Sequence, residues 1–401
     1  MPTTEQPAPT DLPTQPIDST TNARRYDLDW LRIIAIITLL FYHTGMIYVS
    51  WGWHIKSAEH SQPMEEVMRW LHRWRMPLLF FISGAGTFFA LKKRSSGAYA
   101  GERVRRLFVP LVFGMFVIVP PQIYIEWLFR GRFLGSYADF YPNVFHFQPY
   151  HDGGTGGAFS WHHLWFIAYL FLYSLISIPF FRFLRTKSGQ SLLNGMAWLV
   201  AKPGGLMVLV VPIIISQATL GLYFPDETHA LINDWPYFVN NLLLFWYGYL
   251  LVSSPNFTPQ VSSQRRVYLI TTFCCTLILY GMRFFFTYEQ IDDEHPIDVF
   301  FDINSFCLTV ASVLATIGYG YRYLNINKPV LPQLNEAVYP FYILHQTVIV
   351  LIGYYVLTRT SLGVYSGFLI VSLSSLVVCV VIYLLFIRPF KLTRVLFGMK
   401  V

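Results

Sequence analysis

Apolar windows of bilayer-crossing length recur from one end of the chain to the other, and no water-soluble fold accommodates so many of them. They fall at roughly residues 30–50, 68–90, 107–128, 162–183, 204–223, 237–252, 267–286, 299–321, 335–357 and 363–387. Most approach the ~20 residues that a helix needs to cross about 30 Å of hydrocarbon. Only 13% of the 401 residues are charged, while 54% are hydrophobic. Backbone polar groups in lipid must be satisfied within their own segment, so the windows read as helices. The expectation is an all-α polytopic membrane protein with about ten transmembrane helices, the window at 237–252 being the shortest.

Ten crossings return the chain to its starting side, and the basic residues choose that side. With both termini cytoplasmic, all of the 29 Lys and Arg except Lys56, Arg69, Arg73, Arg75, Arg130, Arg132, Arg283 and Arg359 fall on inner segments or inner helix ends, in line with the positive-inside rule. The net charge of +7 then requires no nucleic acid, and the expected location is the cell inner (plasma) membrane. Residues 1–23, rich in Thr and Pro without an apolar core, read as a disordered cytoplasmic tail, which leaves 24–401 as one membrane domain. Cys274, Cys275, Cys307 and Cys379 lie inside predicted spans and show neither a disulfide framework nor metal spacing. There is no Walker motif, zincin motif or Gly-x-Ser-x-Gly elbow. Membrane catalysis and carrier transport remain.

The stretch "RIIAIITLLFYH", residues 32–43, places Arg32 and His43 at the ends of ten uncharged residues. On a helix they share one face, about 16 Å apart, and ionisable side chains are rarely kept in a bilayer without a use. His345, in "VYPFYILHQTVIV", lies at a similar depth in its own span; if the two spans pack together, the imidazoles flank one cavity. Such a pair suits proton transfer to and from a hydroxyl, although a structural hydrogen bond to a neighbouring helix is the plainer use. Asp29, three residues before Arg32, lowers the cost of that charge.

At the inner end of the third window, "GERVRRLFVP" sets Arg103 and Arg106 on one face beside Lys92, Lys93, Arg94 and Arg105. Guanidinium forks bind phosphate oxygens bidentately, so the cluster suits a phosphorylated cytosolic ligand, and it equally serves as a topology signal. The run Ser83, Gly84, Ala85, Gly86 permits close helix packing, and Ser83 offers a hydrogen bond inside the cavity. Arg75 marks the outer end of the second span or reads a carboxylate. Outside, residues 129–161 are aromatic around "DGGTGG", which suits a platform for sugar rings or an interfacial aromatic belt. Glu289, Asp292, Asp293, Glu294 and Asp298 form a second outer loop, and Asp302 lies one turn deeper as a minor site candidate.

Taken in order, Asp29, Arg32 and His43, then "FFISG", Arg103-x-x-Arg106 with Pro110, "HHLWFIAYLF" and "YPFYILHQT" resemble the membrane acyltransferase 3 family over about residues 25–390. The segment "WHIKSAEHS" at 53–61 looks like that family's periplasmic glucan succinyltransferase branch. The resemblance implies a ten-helix O-acyltransferase that carries an acyl group from cytoplasmic acyl-CoA, succinyl-CoA or acetyl-CoA, to a hydroxyl of an extracytoplasmic glucan, with no permanently bound cofactor. It implies His43 as base or transient acyl carrier, Arg32 as its partner, Arg103 and Arg106 on the CoA, and His345 as one of a family pair of histidines. Here the second of that pair is replaced, the local sequence being Leu344, His345, Gln346. Two rivals stand beside this reading. One is a secondary transporter in which Arg32 and His43 hold a carboxylate and His345 relays a proton; the other is an O-acetyltransferase for another envelope polysaccharide.

Overall fold

The computed structural model describes residues 24–146, 157–225, 227–285 and 296–400. The N-terminal tail, the Gly-rich centre of the first outer loop, the acidic positions Glu289, Asp292, Asp293 and Glu294, and the side chain of Asp298 lie outside the described residues.

Ten helices follow the ten apolar windows: α1 (Tyr26–Gly45), α2 (Gln62–Lys92), α3 (Ser96–Phe129), α4 (His162–Ile176), α5 (Gly205–Leu220), α6 (Trp235–Ser253), α7 (Arg265–Phe285), α8 (Val299–Tyr323), α9 (Leu331–Arg359) and α10 (Val364–Ile387). Among the described residues there is no strand. Seven of the ten are long and apolar enough to cross a membrane; α4 and α5 are shorter apolar helices, and α6 is outside the seven. Helix α6 has 19 residues, but its sequence is diluted by Trp, Tyr and two Asn.

Helix α1 is the hub, packed against α2, α8, α9 and α10. That position explains how it carries ionisable residues, because protein rather than lipid surrounds them. The helix ends at Gly45, earlier than the apolar window suggests. Residues 46–61 then form an irregular loop whose apolar side chains enter the protein, with Ile47, Val49 and Ile55 fully buried, while Ser50, Gly52 and residues 58–60 stay exposed. Irregular backbone at such a place must find internal partners, and Lys56 supplies them: its Nζ donates to the carbonyls of Met46 (2.8 Å), Val49 and Trp51 (2.7 Å).

Among the described residues, three wide π turns interrupt otherwise α-helical spans, at Val104–Phe108, Gly114–Ile118 and Tyr383–Ile387. Each lies just before a proline: Pro110, Pro120 and Pro389. A proline ring clashes with the carbonyl four residues back and brings no N–H, and widening the turn relieves both problems. The freed carbonyls are taken up by side chains, Phe116 O by the Tyr141 hydroxyl (2.8 Å) and Ile118 O by the Thr347 hydroxyl (2.7 Å).

The small-residue run works as packing. A Cβ on Gly84 would sit 1.8 Å from the Phe245 carbonyl oxygen, and one on Gly248 would sit 1.8 Å from that of Phe81. Helices α2 and α6 therefore touch backbone to backbone at two reciprocal glycines. The outer aromatics also pack on one another: Phe140, fully buried, meets Trp127 at 5.1 Å and Tyr124 at 5.5 Å between centroids.

Candidate active site

Helices α1 and α9 face each other along their length. Arg32 Nη1 donates to Asn335 Oδ1 (3.2 Å), and about three turns further on His43 Nδ1 meets His345 Nε2 at 2.8 Å. The i, i+11 spacing on α1 is thus answered by i, i+10 on α9. The imidazoles do not flank a gap; they bond to each other, with ring planes 9° apart.

The donors and acceptors in this pair follow from their neighbours. His345 Nδ1 lies 2.6 Å from the Tyr342 carbonyl oxygen, and a carbonyl only accepts, so Nδ1 carries the proton and Nε2 the lone pair. His43 must then donate through Nδ1, which leaves its own Nε2 as a free base. Among the described residues that Nε2 makes no hydrogen bond. His43 also sits in the last turn of α1. The arrangement is a base whose positive charge, once acquired, is shared toward His345 and a backbone carbonyl.

A shell of polar groups to which the sequence reading assigned no role surrounds the pair. His163 donates through Nε2 to the Ile343 carbonyl (3.0 Å) and stands edge-on to His345 at 5.3 Å between centroids. Gln122, fully buried, donates to Thr347 Oγ1 (2.7 Å) and accepts from Gln346 Nε2 (3.1 Å). Gln346 also donates to His54 Nε2 (3.0 Å), and His54 Nδ1 donates to Glu126 Oε2 (2.6 Å). So the amide that stands where the family resemblance implies a second histidine joins Gln122 to a buried His–Glu dyad. His162, at φ +42°, stacks on His54 with centroids 4.9 Å apart. Ligand-type atoms of His54, Glu126 and His162 lie within 4.8 Å of one another, a spacing that a metal ion tolerates, while the His54–Glu126 hydrogen bond already occupies two of them.

The remaining predicted residues divide. Arg32 pairs with Asp29 at 3.5 Å as the sequence suggests, and a Cβ on Gly86 would lie 3.8 Å from its Nη2. It is near enough to Arg103 and Arg106 for their charges to act on it. Those two share Glu102 with Arg94, at 3.3, 3.4 and 3.2 Å respectively. One carboxylate against these three guanidiniums leaves an excess of positive charge, which Arg32 extends. Ser83 is a correction: its hydroxyl donates to the Leu79 carbonyl one turn back (2.7 Å), so its proton is committed to its own helix rather than offered to the site. For Arg75, the reading as the outer end of the second span is the one corrected. The residue lies thirteen residues inside α2, about 20 Å from that helix's first residue, because the helix begins at Gln62 and not near the apolar boundary. Asp302 lines a separate open cavity of about 220 Å³ with His72, Gln217, Glu227 and Asn240.

These features define a multi-pass helical protein with a hydrogen-bonded imidazole pair between two of its helices and a guanidinium cluster nearer the start of α1. The chain belongs to the acyltransferase domain family, whose match covers residues 25–384, and is a membrane acyltransferase. It is 21% identical over 374 residues to glucans biosynthesis protein C of Escherichia coli O157:H7 (strain EC4115 / EHEC), covering 87% of this chain and 89% of that protein. The proteins of the same name from E. coli O81 (strain ED1a) and E. coli (strain K12) are 21% identical over 367 residues and 24% identical over 171 residues, the latter match covering 42% of each chain.

Proposed function

We propose that the protein is an acyl-CoA-dependent O-acyltransferase of the inner membrane that moves an acyl group, succinyl in the first instance, from the cytoplasmic side to a hydroxyl of an extracytoplasmic glucan. The single observation that carries the reading is the His43–His345–Tyr342 chain, which leaves His43 Nε2 as a positioned base. In the transfer, His43 takes the hydroxyl proton as the oxygen attacks the thioester carbonyl. The C–S bond breaks, and the imidazolium returns the proton to the departing thiolate. In the variant in which His43 is itself acylated, its Nε2 attacks the thioester carbonyl and expels the CoA thiolate; the sugar oxygen then attacks the acyl carbon and expels Nε2, and the hydroxyl proton ends on the thiolate. Arg103 and Arg106 hold the CoA phosphates, the role their excess charge supports, and Arg32 guides the thioester toward His43. The names of the E. coli relatives support a glucan acceptor. The gathering of Lys and Arg on the segments read as inner supports this sidedness.

Titration calorimetry of the purified chain with succinyl-CoA, acetyl-CoA and free CoA, beside an Arg103→Ala, Arg106→Ala variant, tests the donor side. Binding of all three that is lost in the variant is expected. Absence of any binding overturns the donor assignment and returns the carboxylate transporter as the working reading. The base is tested by His43→Gln, expected to lower kcat about 10²–10⁴-fold; a folded variant with undiminished turnover removes His43 from the chemistry.

A further inference from the structure

Arg75 is a buried cation that the mechanism above does not use. The residue is 6% exposed, and none of the ion pairs among the described residues includes it. Its guanidinium carbon sits 3.2 Å from the centroid of the Tyr42 ring. That face-on contact is attractive, and the Tyr42 side chain takes up part of the guanidinium's hydrogen-bonding capacity. Nε and Nη1, both sealed from solvent, have no hydrogen-bond partner among the described residues. A buried charge without a counter-charge, and with donors left over, is costly to maintain. Such a group is usually completed by an anion that arrives.

Location says which anion. Tyr42 holds the guanidinium on one side and precedes His43 in the chain, with the two rings 5.5 Å apart. The charge of Arg75 is near enough to act on both His43 and His345. An anion on its fork therefore lies beside the reacting base, well away from the Arg103–Arg106 cluster that suits phosphate. The tyrosine also fixes the fork's direction: guanidinium carbon over the ring, N–H edges pointing past it.

We propose that Arg75 is the anion-binding group of the transfer site and that it holds a carbon-bound oxyanion of the acyl group. On the acyltransferase reading, on which this rests, that oxyanion has two sources. One is the distal carboxylate of a dicarboxylic acyl group such as succinyl. The other is the oxygen of the tetrahedral intermediate, which needs positioned donors wherever its charge develops.

The test uses the full chain in detergent, as wild type, Arg75→Met and Arg75→Lys, with two readouts. The first is thermal stability in the presence of sodium succinate, which requires neither CoA nor turnover. The second is kcat and KM for transfer from succinyl-CoA and from acetyl-CoA. If the distal carboxylate is the ligand, succinate stabilises the wild type and not Arg75→Met, and the variant raises KM for succinyl-CoA at least tenfold while sparing acetyl-CoA. If the ligand is the tetrahedral oxygen, kcat falls about 10²-fold for both donors with KM little changed. Arg75→Lys keeps the charge without the fork and recovers part of either loss; it carries the comparison if the methionine variant does not fold. A folded Arg75→Met with wild-type succinate response and an unchanged donor preference and kcat overturns the proposal. Succinate binding that depends on Arg75 in a protein with no transfer activity keeps the anion site and removes the acyltransferase chemistry assigned to it.

Discussion

At the scale of single residues, the central fact is a tautomer set by one backbone carbonyl. His345 contributes by presenting a lone pair to His43 Nδ1, which it does because its own proton is engaged with Tyr342 O. His345→Asn keeps a polar side chain but cannot reproduce both the donor and the in-line acceptor. It is expected to lower kcat by about 10²-fold with little change in donor KM, and to move the acid limb of the pH–rate profile, since the imidazolium at His43 loses the partner that shares its charge. Equal losses in kcat and donor affinity would show His345 to be a packing residue instead. The pairing itself was legible in the sequence: His43 and His345 lie at matching depths above the ends of two spans, and an intramembrane histidine invites a partner. His54, Glu126 and Arg75 were not legible in the same way. Glu126 and Arg75 stand near apparent helix ends, where charges are ordinary, and only the partial burial of loop 46–61 and the early start of α2 put them inside. Ser83 shows the opposite failure, because a serine in a cavity-sized gap can spend its proton on the turn below.

Helices meet this protein's constraints with glycine and proline placed for different ends. Gly84 and Gly248 admit a backbone contact that any side chain would block, and they bind α2, which carries Arg75, to α6. Gly84→Val inserts atoms where a carbonyl oxygen already stands, so the two helices must separate. The expected cost is about 1–3 kcal/mol or more, read as a fall in thermal midpoint, with Gly97→Ala as a control at a site where an added Cβ meets nothing within 4 Å. An unchanged midpoint for Gly84→Val would mean that the contact is not a constraint. Prolines do the other work. The wide turn at Val104–Phe108 precedes Pro110 and carries Arg106, and the turn before Pro120 frees the Ile118 carbonyl that anchors Thr347 and, through it, Gln122. Periodicity in the sequence located these helices well but not the turns, because a π turn keeps the apolar character of its segment and alters only its phase. The same limit applies to α1, whose apolar run continues past Gly45 into residues that are buried yet not helical.

Across the whole molecule the chemistry is arranged end to end. Arg103 and Arg106 lie about two to three turns into α3 on the side where α1 begins, Arg32 bonds to α9 in the first turns, the imidazole pair follows about 16 Å further along, and His54, Glu126 and the aromatic cluster lie toward the opposite end. On the proposed reading, a thioester bound at the first end and a hydroxyl approaching from the other would meet at His43 without CoA crossing the bilayer. The test is sidedness in sealed proteoliposomes whose orientation is scored by protease access to the N-terminal segment. Vesicles with acyl-CoA confined to the compartment that contains the N-terminus, and a glucose oligosaccharide confined to the other, are expected to form ester. The reversed arrangement, or both substrates on one side, is expected to form none above the leakage measured with free CoA. Efficient transfer with donor and acceptor together on either side would mean that the arginine cluster and the histidine pair open to the same compartment, and the path along α1 and α9 would have to be read as structural.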